Sequence, residues 1–397
     1  FPEEITPISE DFINNISDYS NEEIAYEVIK QFIGDEIPAP ILKEIIKKTI
    51  SFDFPVVNLD ENIGSLELFH GPTMAFKDVG ARFMSQCLEY FNQSKTEDIT
   101  VLVATSGDTG GAVANGFLNA KGVQVVILYP KGKVSEIQEK QLTTLGNNIT
   151  ALEVDGVFDD CQEMVKSAFL DKNISRNLTS ANSINVARWL PQMFYFFFAY
   201  KQISNQYKDV VFSVPSGNFG NICAGLLAQK LGLPIKHFVA STNINDTVPK
   251  YLINGVYDPK PSKATISNAM DVGNPSNFIR IQELFNKNLS SLKKSFSSYS
   301  FSDDETKIMM KSIHDKFNYI SEPHGAIGYL GLKKHGLKTN EFGIFLETAH
   351  PVKFLDVVEE TLTVNVEIPP QIKEVMSKEK VSILISNYQD LKNFLNK

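Results

Sequence analysis

The strongest constraint on the fold is a series of apolar segments that lack the every-second-residue alternation of a half-exposed strand. They are rich in Val, Ile, Leu and Phe, and most are separated by stretches with helical spacing. These segments are residues 99–105, 123–129, 149–154, 210–214, 235–241 and 342–348. Strands buried on both faces are typical of parallel sheets covered by helices. The sequence therefore predicts an α/β protein with two open, twisted, mostly parallel sheets flanked by helices.

The predicted elements also indicate how the chain is divided. The first 65 residues read as helices and loops, and residues 184–202 predict one long buried helix despite Pro191. We expect a helical N-terminal region at residues 1–95, a smaller, mobile βα domain at residues 96–205 and a larger α/β domain at residues 206–397. Because the chain opens on Phe1 rather than Met, we also expect some N-terminal sequence to be missing.

Composition narrows the class of protein. Apolar residues make up 43% of the 397 residues, which is ample for a packed core. The net charge of -9 comes without a basic run, so nucleic-acid binding is not expected. The densest apolar stretch, residues 193–200, is far shorter than a membrane span, and Cys87, Cys161 and Cys223 lack a paired spacing. We expect a cytoplasmic protein with reduced thiols, no membrane contact and no metal site.

One candidate ligand site is a loop rich in Gly and Asn that joins a predicted strand to a predicted helix. This loop, residues 216–221, is the glycine loop, and its candidate residues are Gly217, Asn218, Phe219, Gly220 and Asn221. Backbone N–H groups at the start of a helix suit a phosphate group, and glycines let the backbone approach closely. An ordinary strand-to-helix turn is the alternative, because no strict nucleotide fingerprint is present.

A second strand-to-helix turn carries hydroxyl groups and an acid. This turn, residues 105–111, is the hydroxyl turn and contains Ser106, Asp108 and Thr109. Such a turn can hold a carboxylate or phosphate at its N–H groups, while Asp108 can accept from a hydroxyl or an ammonium. The alternative is that Ser106 or Asp108 simply caps the helix.

Lys77 stands in an unusual place, in the first turn of a helix that follows a Gly-Pro turn. The apolar stripe of that helix is Phe76, Val79, Phe83 and Cys87. The positive end of the helix dipole disfavours an ammonium, so this amine would lose its proton more easily. A deprotonated lysine can attack an aldehyde, although a solvated surface amine is the common alternative.

Six motifs, in order along the chain, resemble those of the threonine synthase family. Members of that family are pyridoxal-phosphate (PLP) enzymes of the tryptophan-synthase-β type of fold, fold type II. The motifs are FHGPTMAFKD (69–78), ATSGDTGGA (104–112), SANSIN (180–185) ending close to Arg188, VPSGNFGN (214–221), MDVGNPSN (270–277) and ETAHPVKF (347–354). The resemblance covers nearly the whole chain.

The resemblance implies a role for each candidate residue. Lys77 would bond covalently to PLP, the glycine loop would hold the PLP phosphate, and Thr348 would hydrogen-bond the pyridine nitrogen. Many relatives carry an acid where this chain has Asn221, but the backbone N–H groups of the loop should still bind the PLP phosphate. The implied substrate-binding residues are Ser106, Asp108, Thr109, Asn182 and Arg188.

Arginine is scarce in this chain, which makes Arg188 a stronger candidate for a functional role. The chain has 38 cationic residues, and only Arg82, Arg176, Arg188 and Arg280 are arginine. The planar fork of arginine suits a carboxylate or phosphate, so the resemblance makes Arg188 a substrate-anion donor. A salt bridge on a helix surface or between domains is the alternative for Arg188. Arg82 is interpreted as structural. His70 could contact the phosphate leaving group, with a satisfied turn histidine as the equal alternative, and His324 and His350 are assigned no chemistry.

The resemblance implies threonine synthase chemistry, in which O-phospho-L-homoserine loses phosphate and gains water to give L-threonine. We expect PLP as the cofactor, a small-molecule substrate as the partner, and a monomer or homodimer. Two alternatives stay open at this point: a PLP-dependent threonine or serine dehydratase, and a catalytically silent homologue.

Overall fold

The computed structural model describes residues 2–93, 97–207 and 209–397. Within these ranges, eleven strands form two sheets. The strands are β1 (Val56–Asp60), β2 (Ile63–Glu67), β3 (Ile99–Ala104), β4 (Val123–Pro130), β5 (Ile149–Val154), β6 (Asn177–Ser180), β7 (Asp209–Pro215), β8 (Ile235–Thr242), β9 (Phe296–Ser300), β10 (Glu341–Glu347) and β11 (Ile383–Ile385).

The same described ranges contain eighteen α-helices, none of which is long and apolar enough to cross a membrane. Capping boxes at Ser20, Ser135 and Ser302 start three of them. The helices are α1 (Glu10–Asn14), α2 (Asn21–Ile33), α3 (Ala39–Thr49), α4 (Lys77–Asn92), α5 (Asp108–Gly116), α6 (Glu136–Thr143), α7 (Phe158–Leu170), α8 (Val186–Trp189), α9 (Met193–Ile203), α10 (Gly220–Lys230), α11 (Thr247–Asn254), α12 (Phe278–Leu284), α13 (Leu289–Leu292), α14 (Asp303–Phe317), α15 (Pro323–His335), α16 (Leu355–Leu362), α17 (Pro370–Met376) and α18 (Tyr388–Leu395).

Contacts divide the chain into two compact units. Unit 1 consists of Phe1–Phe76 and Trp189–Val366, and unit 2 consists of Lys77–Arg188 and Glu367–Lys397. Each unit is assembled from two separate segments of the chain. The expected boundary between residues 95 and 96 lies outside the described residues. The three-region division, and the mobility of its middle region, stay predictions.

Unit 1 is built on a six-stranded sheet with the order β1-β2-β10-β7-β8-β9. Strand β1 is antiparallel to β2, and every other pair is parallel. Helices α14, α15 and α16 cover one face, where Val211 and Phe345 are buried. On the other face, Phe212 of β7 packs against Phe196 of α9 with ring centroids 5.2 Å apart. Burial on both faces explains the unbroken apolar runs.

Unit 2 is built on a fully parallel five-stranded sheet with the order β11-β5-β4-β3-β6. Alternate residues of its central strands enter different clusters: Val101 and Val103 face helices α4 and α5, whereas Leu102 faces helices α7 and α18. The C-terminal segment supplies both edge strand β11 and helix α18. The prediction of two mostly parallel open sheets flanked by helices is confirmed.

Two expectations about individual elements are wrong. Residues 184–202 are not one helix: α8 ends at Trp189, a 3-10 turn spans Leu190–Gln192, and α9 begins at Met193. Pro191 has no N–H to donate and fixes its own backbone, which interrupts the helix. The first 65 residues also contain strand β1 and the start of β2, which the sequence interpretation placed among helices and loops.

Candidate functional site

The glycine loop lies between the end of β7 and the start of α10 in unit 1. A Cβ atom at Gly217 would lie 2.7 Å from Cα of Met270 and 2.8 Å from the carbonyl oxygen of Ala269, so only glycine fits there. Phe219 has a φ of +62° and turns the chain into α10. The first N–H groups of a helix lie at its positive end, and at the start of α10 this end adjoins the glycine loop. The loop therefore fits a phosphate group.

Side chains fix the shape of the glycine loop. Asn221, which is 6% exposed, donates from Nδ2 to the Pro215 carbonyl (2.9 Å) and accepts from the N–H of Ile222 (2.8 Å). Asn218 accepts from the N–H of Ser276 (2.7 Å) and from its hydroxyl (2.9 Å). The side chain of Asn221 thus spans the loop from strand to helix. An acid there would lose the bond to the carbonyl, because a carboxylate cannot donate.

Thr348 follows β10, the strand beside β7, so it lies at the same sheet edge as the glycine loop. It is 6% exposed, and its carbonyl accepts from the N–H of Phe76 (2.9 Å). The next residue, Ala349, forms an antiparallel bridge with Ala75. Lys353, 1% exposed, donates to the Thr73 carbonyl (2.9 Å). The chain leading to Lys77 is therefore held against residues 348–353.

Two acids, the buried Glu347 and the half-buried Glu67, are register partners beside Thr348 in unit 1. Glu347 is 1% exposed and accepts from the Ser321 hydroxyl, and burial together with the Glu322 charge raises the pKa of Glu347 well above its ordinary value. Glu67 accepts from the hydroxyl of Tyr319 (2.8 Å). These carboxyl groups form one polar layer under the strand ends.

The three histidines considered in the sequence analysis lie in the same part of unit 1. His70 contacts Glu67 through Nε2 (2.7 Å). Burial, with His70 nearby, lowers the pKa of His350 to about 4, so this ring is neutral at pH 7. His324 is 2% exposed, and its Nδ1 lies 2.6 Å from the Glu322 carboxylate.

Lys77 is the first residue of α4 in unit 2, as predicted. The apolar stripe of α4 is buried, with Val79 at 0% and Phe83 at 2% exposure. A Cβ atom at Gly80 would lie 2.1 Å from the Arg188 carbonyl oxygen, which brings residue 188 directly against α4. Helix α4 is therefore rigidly packed, and it fixes where the backbone of Lys77 lies.

The hydroxyl turn follows β3 in unit 2 and is organised by Thr105, which the sequence analysis did not single out. The Thr105 hydroxyl accepts from the N–H groups of Gly107 (3.0 Å) and Gly110 (2.8 Å). Asp108, 5% exposed, accepts from Nε2 of Gln138 (3.0 Å). The Asp108 carboxylate is thus held by a buried amide, while Ser106 and Thr109 are half-buried.

Asn182 and Arg188 lie beside the hydroxyl turn in unit 2. Asn182 donates from Nδ2 to the Ala104 carbonyl (2.8 Å), which joins the end of β6 to the end of β3. Arg188 is 2% exposed, and its Nη1 donates to the Ala181 carbonyl. Burial lowers the pKa of Arg188 to about 10, and the nearby Asp78 carboxylate opposes that shift. Arg188 is consequently buried rather than on a helix surface.

The predicted residues thus form one group in each unit. In unit 1 they lie at the carboxyl ends of β7 and β10, and in unit 2 at those of β3 and β6 and on α4. Ligands of open α/β sheets bind at such ends. Sequence reasoning missed Gln138, Ser276 and Glu322. Only Glu322 carried a local signal, because an acid two residues before His324 and beside Pro323 is a typical helix N-cap position.

Comparison with known proteins gives matches along the whole chain. Residues 62–342 match the family described as pyridoxal-phosphate dependent enzyme. Residues 1–50 match the family described as threonine synthase N terminus, and residues 325–395 match threonine synthase, C-terminal.

Individual relatives agree with these matches. A threonine synthase of Buchnera aphidicola is 49% identical over 377 residues, which are 93% of this chain and 86% of the relative. The crystal structure of threonine synthase from Escherichia coli has a TM-score of 0.93 at 43% identity, covering 100% of this chain and 92% of that one. A PLP-bound threonine synthase from Brucella melitensis has a TM-score of 0.92 at 32% identity, with the same coverage.

Proposed function

Because the chain belongs to the threonine synthase family of pyridoxal-phosphate-dependent enzymes, we propose that its substrate is O-phospho-L-homoserine. The products would be L-threonine and orthophosphate, and water would supply the new hydroxyl group. The observation that carries this proposal is the pair of turns at helix starts, the glycine loop and the hydroxyl turn. Two such turns match two phosphate-bearing molecules, the cofactor and the substrate.

The cofactor of the family is pyridoxal phosphate, and we infer which residues hold it. Lys77 would bond to its aldehyde carbon, and the N–H groups of the glycine loop would bind its phosphate. The Thr348 hydroxyl would hydrogen-bond its pyridine nitrogen. When bound, PLP supplies an electron sink for negative charge on the adjacent substrate carbons.

We infer that the candidate residues of unit 2 bind the anionic groups of the substrate. Arg188 and Asn182 provide N–H donors that stabilise the departing phosphate, and Ser106 and Thr109 add hydroxyl donors. Asp108 is oriented by Gln138 and accepts a hydrogen bond from the substrate.

Lys77 would have a second task as a free amine. It would be the general base that removes protons from Cα and then Cβ of the substrate, and it would later return a proton. Its place at the start of α4 favours the uncharged amine that this role needs.

The test is release of inorganic phosphate from O-phospho-L-homoserine by the PLP-loaded protein. Lys77→Ala should lose the visible absorbance of the lysine-bound cofactor and at least about 1000-fold in rate, in line with removal of a covalent catalytic group. Lys133→Ala, an exposed lysine of unit 2, is the control and should keep both. A wild-type protein that binds PLP covalently but releases no phosphate would disprove the substrate assignment.

The dehydratase alternative has a direct test in the same assay. A threonine or serine dehydratase would form a keto acid from threonine or serine and leave O-phospho-L-homoserine intact. The matches to threonine synthase at 49% identity favour the synthase over this alternative and over a silent homologue. Keto acid formation that exceeds phosphate release would reverse that preference.

A further inference from the structure

Helix α6 forms one wall of the hydroxyl turn in unit 2. Two residues of the turn, Gly107 and Gly110, have no side chain, and side chains of α6 occupy the space beside them. A Cβ atom at Gly107 would lie 2.6 Å from the carboxamide of Gln138, and one at Gly110 would lie 3.2 Å from Cδ2 of Leu142. The backbone of the turn therefore packs directly on α6, and a shift of this helix has to move the turn.

Gln138 makes the polar contact between α6 and the hydroxyl turn. It is 1% exposed, and its Oε1 accepts from the N–H of Ser135 (3.3 Å) in the capping box of α6. Since the amide oxygen is used in this way, its Nε2 faces Asp108 and donates to that carboxyl group (3.0 Å). The orientation of Asp108 therefore depends on where α6 places Gln138.

The opposite side of α6 contacts residues 378–382, here called the crossing segment, which directly precede strand β11. Lys140 of α6 donates to the Lys378 carbonyl. The N–H of Val381 donates to the carbonyl of Thr143, the last residue of α6 (3.0 Å). Because β11 pairs with β5, the crossing segment is anchored in the sheet, and α6 lies between this segment and the hydroxyl turn.

Lys380 supplies the charged contact of the crossing segment. Its ammonium pairs with Glu139 of α6 (2.7 Å) and with Glu153 of β5 (2.8 Å), so it joins the helix to the sheet. Without Lys380, these two carboxylates would repel each other and push α6 away from β5. Glu139 is the neighbour of Gln138 in sequence. One cation therefore holds the part of α6 that carries Gln138.

We propose that Lys380 is a positioning residue for substrate binding, because it holds α6 where Gln138 can orient Asp108. Helix α6 has eight residues, which is too few for a helix to keep its place without neighbours. Loss of the Lys380 ion pairs lets α6 move, displaces the Asp108 acceptor and weakens substrate binding. The end of the chain thus acts on the substrate through α6. This inference rests on the substrate role that the proposed function gives to the hydroxyl turn.

The test compares the steady-state kinetics of PLP-loaded variants with O-phospho-L-homoserine. Lys380→Met keeps the length of the side chain but loses its charge. We expect its KM to rise by about threefold to tenfold, with kcat within about twofold of wild type. PLP content should be unchanged. Lys380→Arg, which can pair with both acids, should restore most of the wild-type KM.

Lys392→Met is the matched control. Lys392 of α18 also lies near the end of the chain and pairs with Asp171, at the end of α7 (2.7 Å). Its side chain is 23% exposed, against 31% for Lys380. Helix α7 covers the opposite face of the unit 2 sheet from α5 and α6. This variant should therefore lose an ion pair and keep the wild-type KM.

A double-mutant cycle shows whether Lys380 acts through Gln138. Gln138→Met has no donor for Asp108 and should raise KM at least as much as Lys380→Met does. If both residues act on the same contact, the double variant should have a KM within about twofold of that of Gln138→Met. KM effects that multiply in the double variant would show that Lys380 does not act through Gln138, and would overturn the inference.

Hydrogen exchange gives a readout that does not depend on the substrate. The N–H groups of Gly107 and Gly110 donate to the Thr105 hydroxyl, so their exchange reports on the hydroxyl turn. Their exchange should be faster in Lys380→Met than in Lys392→Met. If Lys380→Met fails to fold by circular dichroism, Glu139→Gln, which removes only one of the two ion pairs, takes its place in both measurements.

Three results would overturn the inference: an unchanged KM in Lys380→Met, the same rise of KM in Lys392→Met, or equal exchange at the hydroxyl turn in these two variants. Failure of the proposed function looks different. In that case the PLP-loaded wild-type protein would release no phosphate, whereas exchange would still be faster in Lys380→Met than in Lys392→Met.

Discussion

At the scale of single residues, the candidate site contains positions where a change of one side-chain atom would create a clash or remove a hydrogen bond. Gly217 has no room for a side chain against Met270, and Asn221 uses both ends of its amide within the glycine loop. Arg188 is a cation at 2% exposure, held by a carbonyl and facing Asp78.

Gly217→Ala tests the shape of the glycine loop. The new methyl group would press on backbone atoms of residues 269 and 270, which cannot move as a side chain can, so the loop must shift. We expect PLP affinity to fall by about tenfold or more, equivalent to roughly 1.4 kcal/mol, in a titration followed by absorbance. Gly111→Ala, where the added methyl makes ordinary contacts of 3.4 Å, should bind PLP as wild type does. Equal affinities for both variants would disprove the role of the loop.

Arg188→Lys separates anion binding from structural support. Lysine keeps the charge but loses the planar fork, so we expect the KM for O-phospho-L-homoserine to rise by about tenfold while PLP content is unchanged. Steady-state kinetics and cofactor absorbance measure the two effects. A parallel loss of cofactor, with a lower melting temperature, would instead assign Arg188 to the packing of α4 with Asp78.

At the scale of elements, histidine rings join a strand to a helix at the opposite end of the unit 1 sheet from Thr348. His237 of β8 stacks on His335, the last residue of α15, with centroids 4.6 Å apart. Nε2 of His237 also contacts the hydroxyl of Ser297 (3.0 Å). Burial, and the nearby His335, lower the pKa of His237 to about 4. This contact helps to fix α15, whose first turn holds Glu322 and His324.

The low pKa of His237 predicts how stability depends on pH. In the unfolded chain a histidine titrates near 6.5, so between pH 6.5 and 4 the unfolded state binds more protons than the folded state. Stability from this group is therefore complete above pH 6.5 and is lost as pH falls toward 4. We expect the free energy of unfolding, measured with urea, to fall by about 1–2 kcal/mol over this pH range; this figure allows for the partial exposure of His237. His237→Gln should reduce the dependence of the free energy of unfolding on pH in this range. An unchanged dependence would show that His237 is not its source.

At the scale of the whole molecule, the chain leaves unit 2 at Arg188 and returns to it at Glu367. The returning segment completes the unit 2 sheet with β11 and covers it with α18. Lys380 adds ion pairs to Glu139 (2.7 Å) and Glu153 (2.8 Å), which raise the pKa of Lys380 although burial opposes that shift. The stability of unit 2 therefore depends on the end of the chain.

Two leucines of the returning segment test this dependence. Leu391 of α18 is fully buried, so Leu391→Ala should destabilise unit 2 by about 2–5 kcal/mol. Leu384 of β11 is 53% exposed, and Leu384→Ala should cost at most about 0.5 kcal/mol. Hydrogen exchange of β4 and β5 measures both effects. Similar exchange rates in the two variants would show that the segment contributes little to the core.

Much of this protein is determined by the sequence alone. Apolar runs without alternation specify parallel sheets, because a strand buried on both faces has no polar positions. Glycines and hydroxyl residues after such runs predict candidate ligand-binding turns, because the backbone conformation of a short turn depends on neighbours in sequence. The six ordered motifs were sufficient to predict the family, its cofactor and its candidate residues.

Contacts between distant residues are decided only by the tertiary structure. The sequence could not show that Gln138 holds Asp108, that Ser276 holds Asn218, or that Nε2 of His324 has no hydrogen-bond partner among the described residues, because each depends on elements joined by packing. Strand β11 joins its sheet more than 200 residues after its partner β5, and local spacing carries no information about such pairing. Local physics therefore determined the elements and turns, and long-range packing determined which side chains surround them.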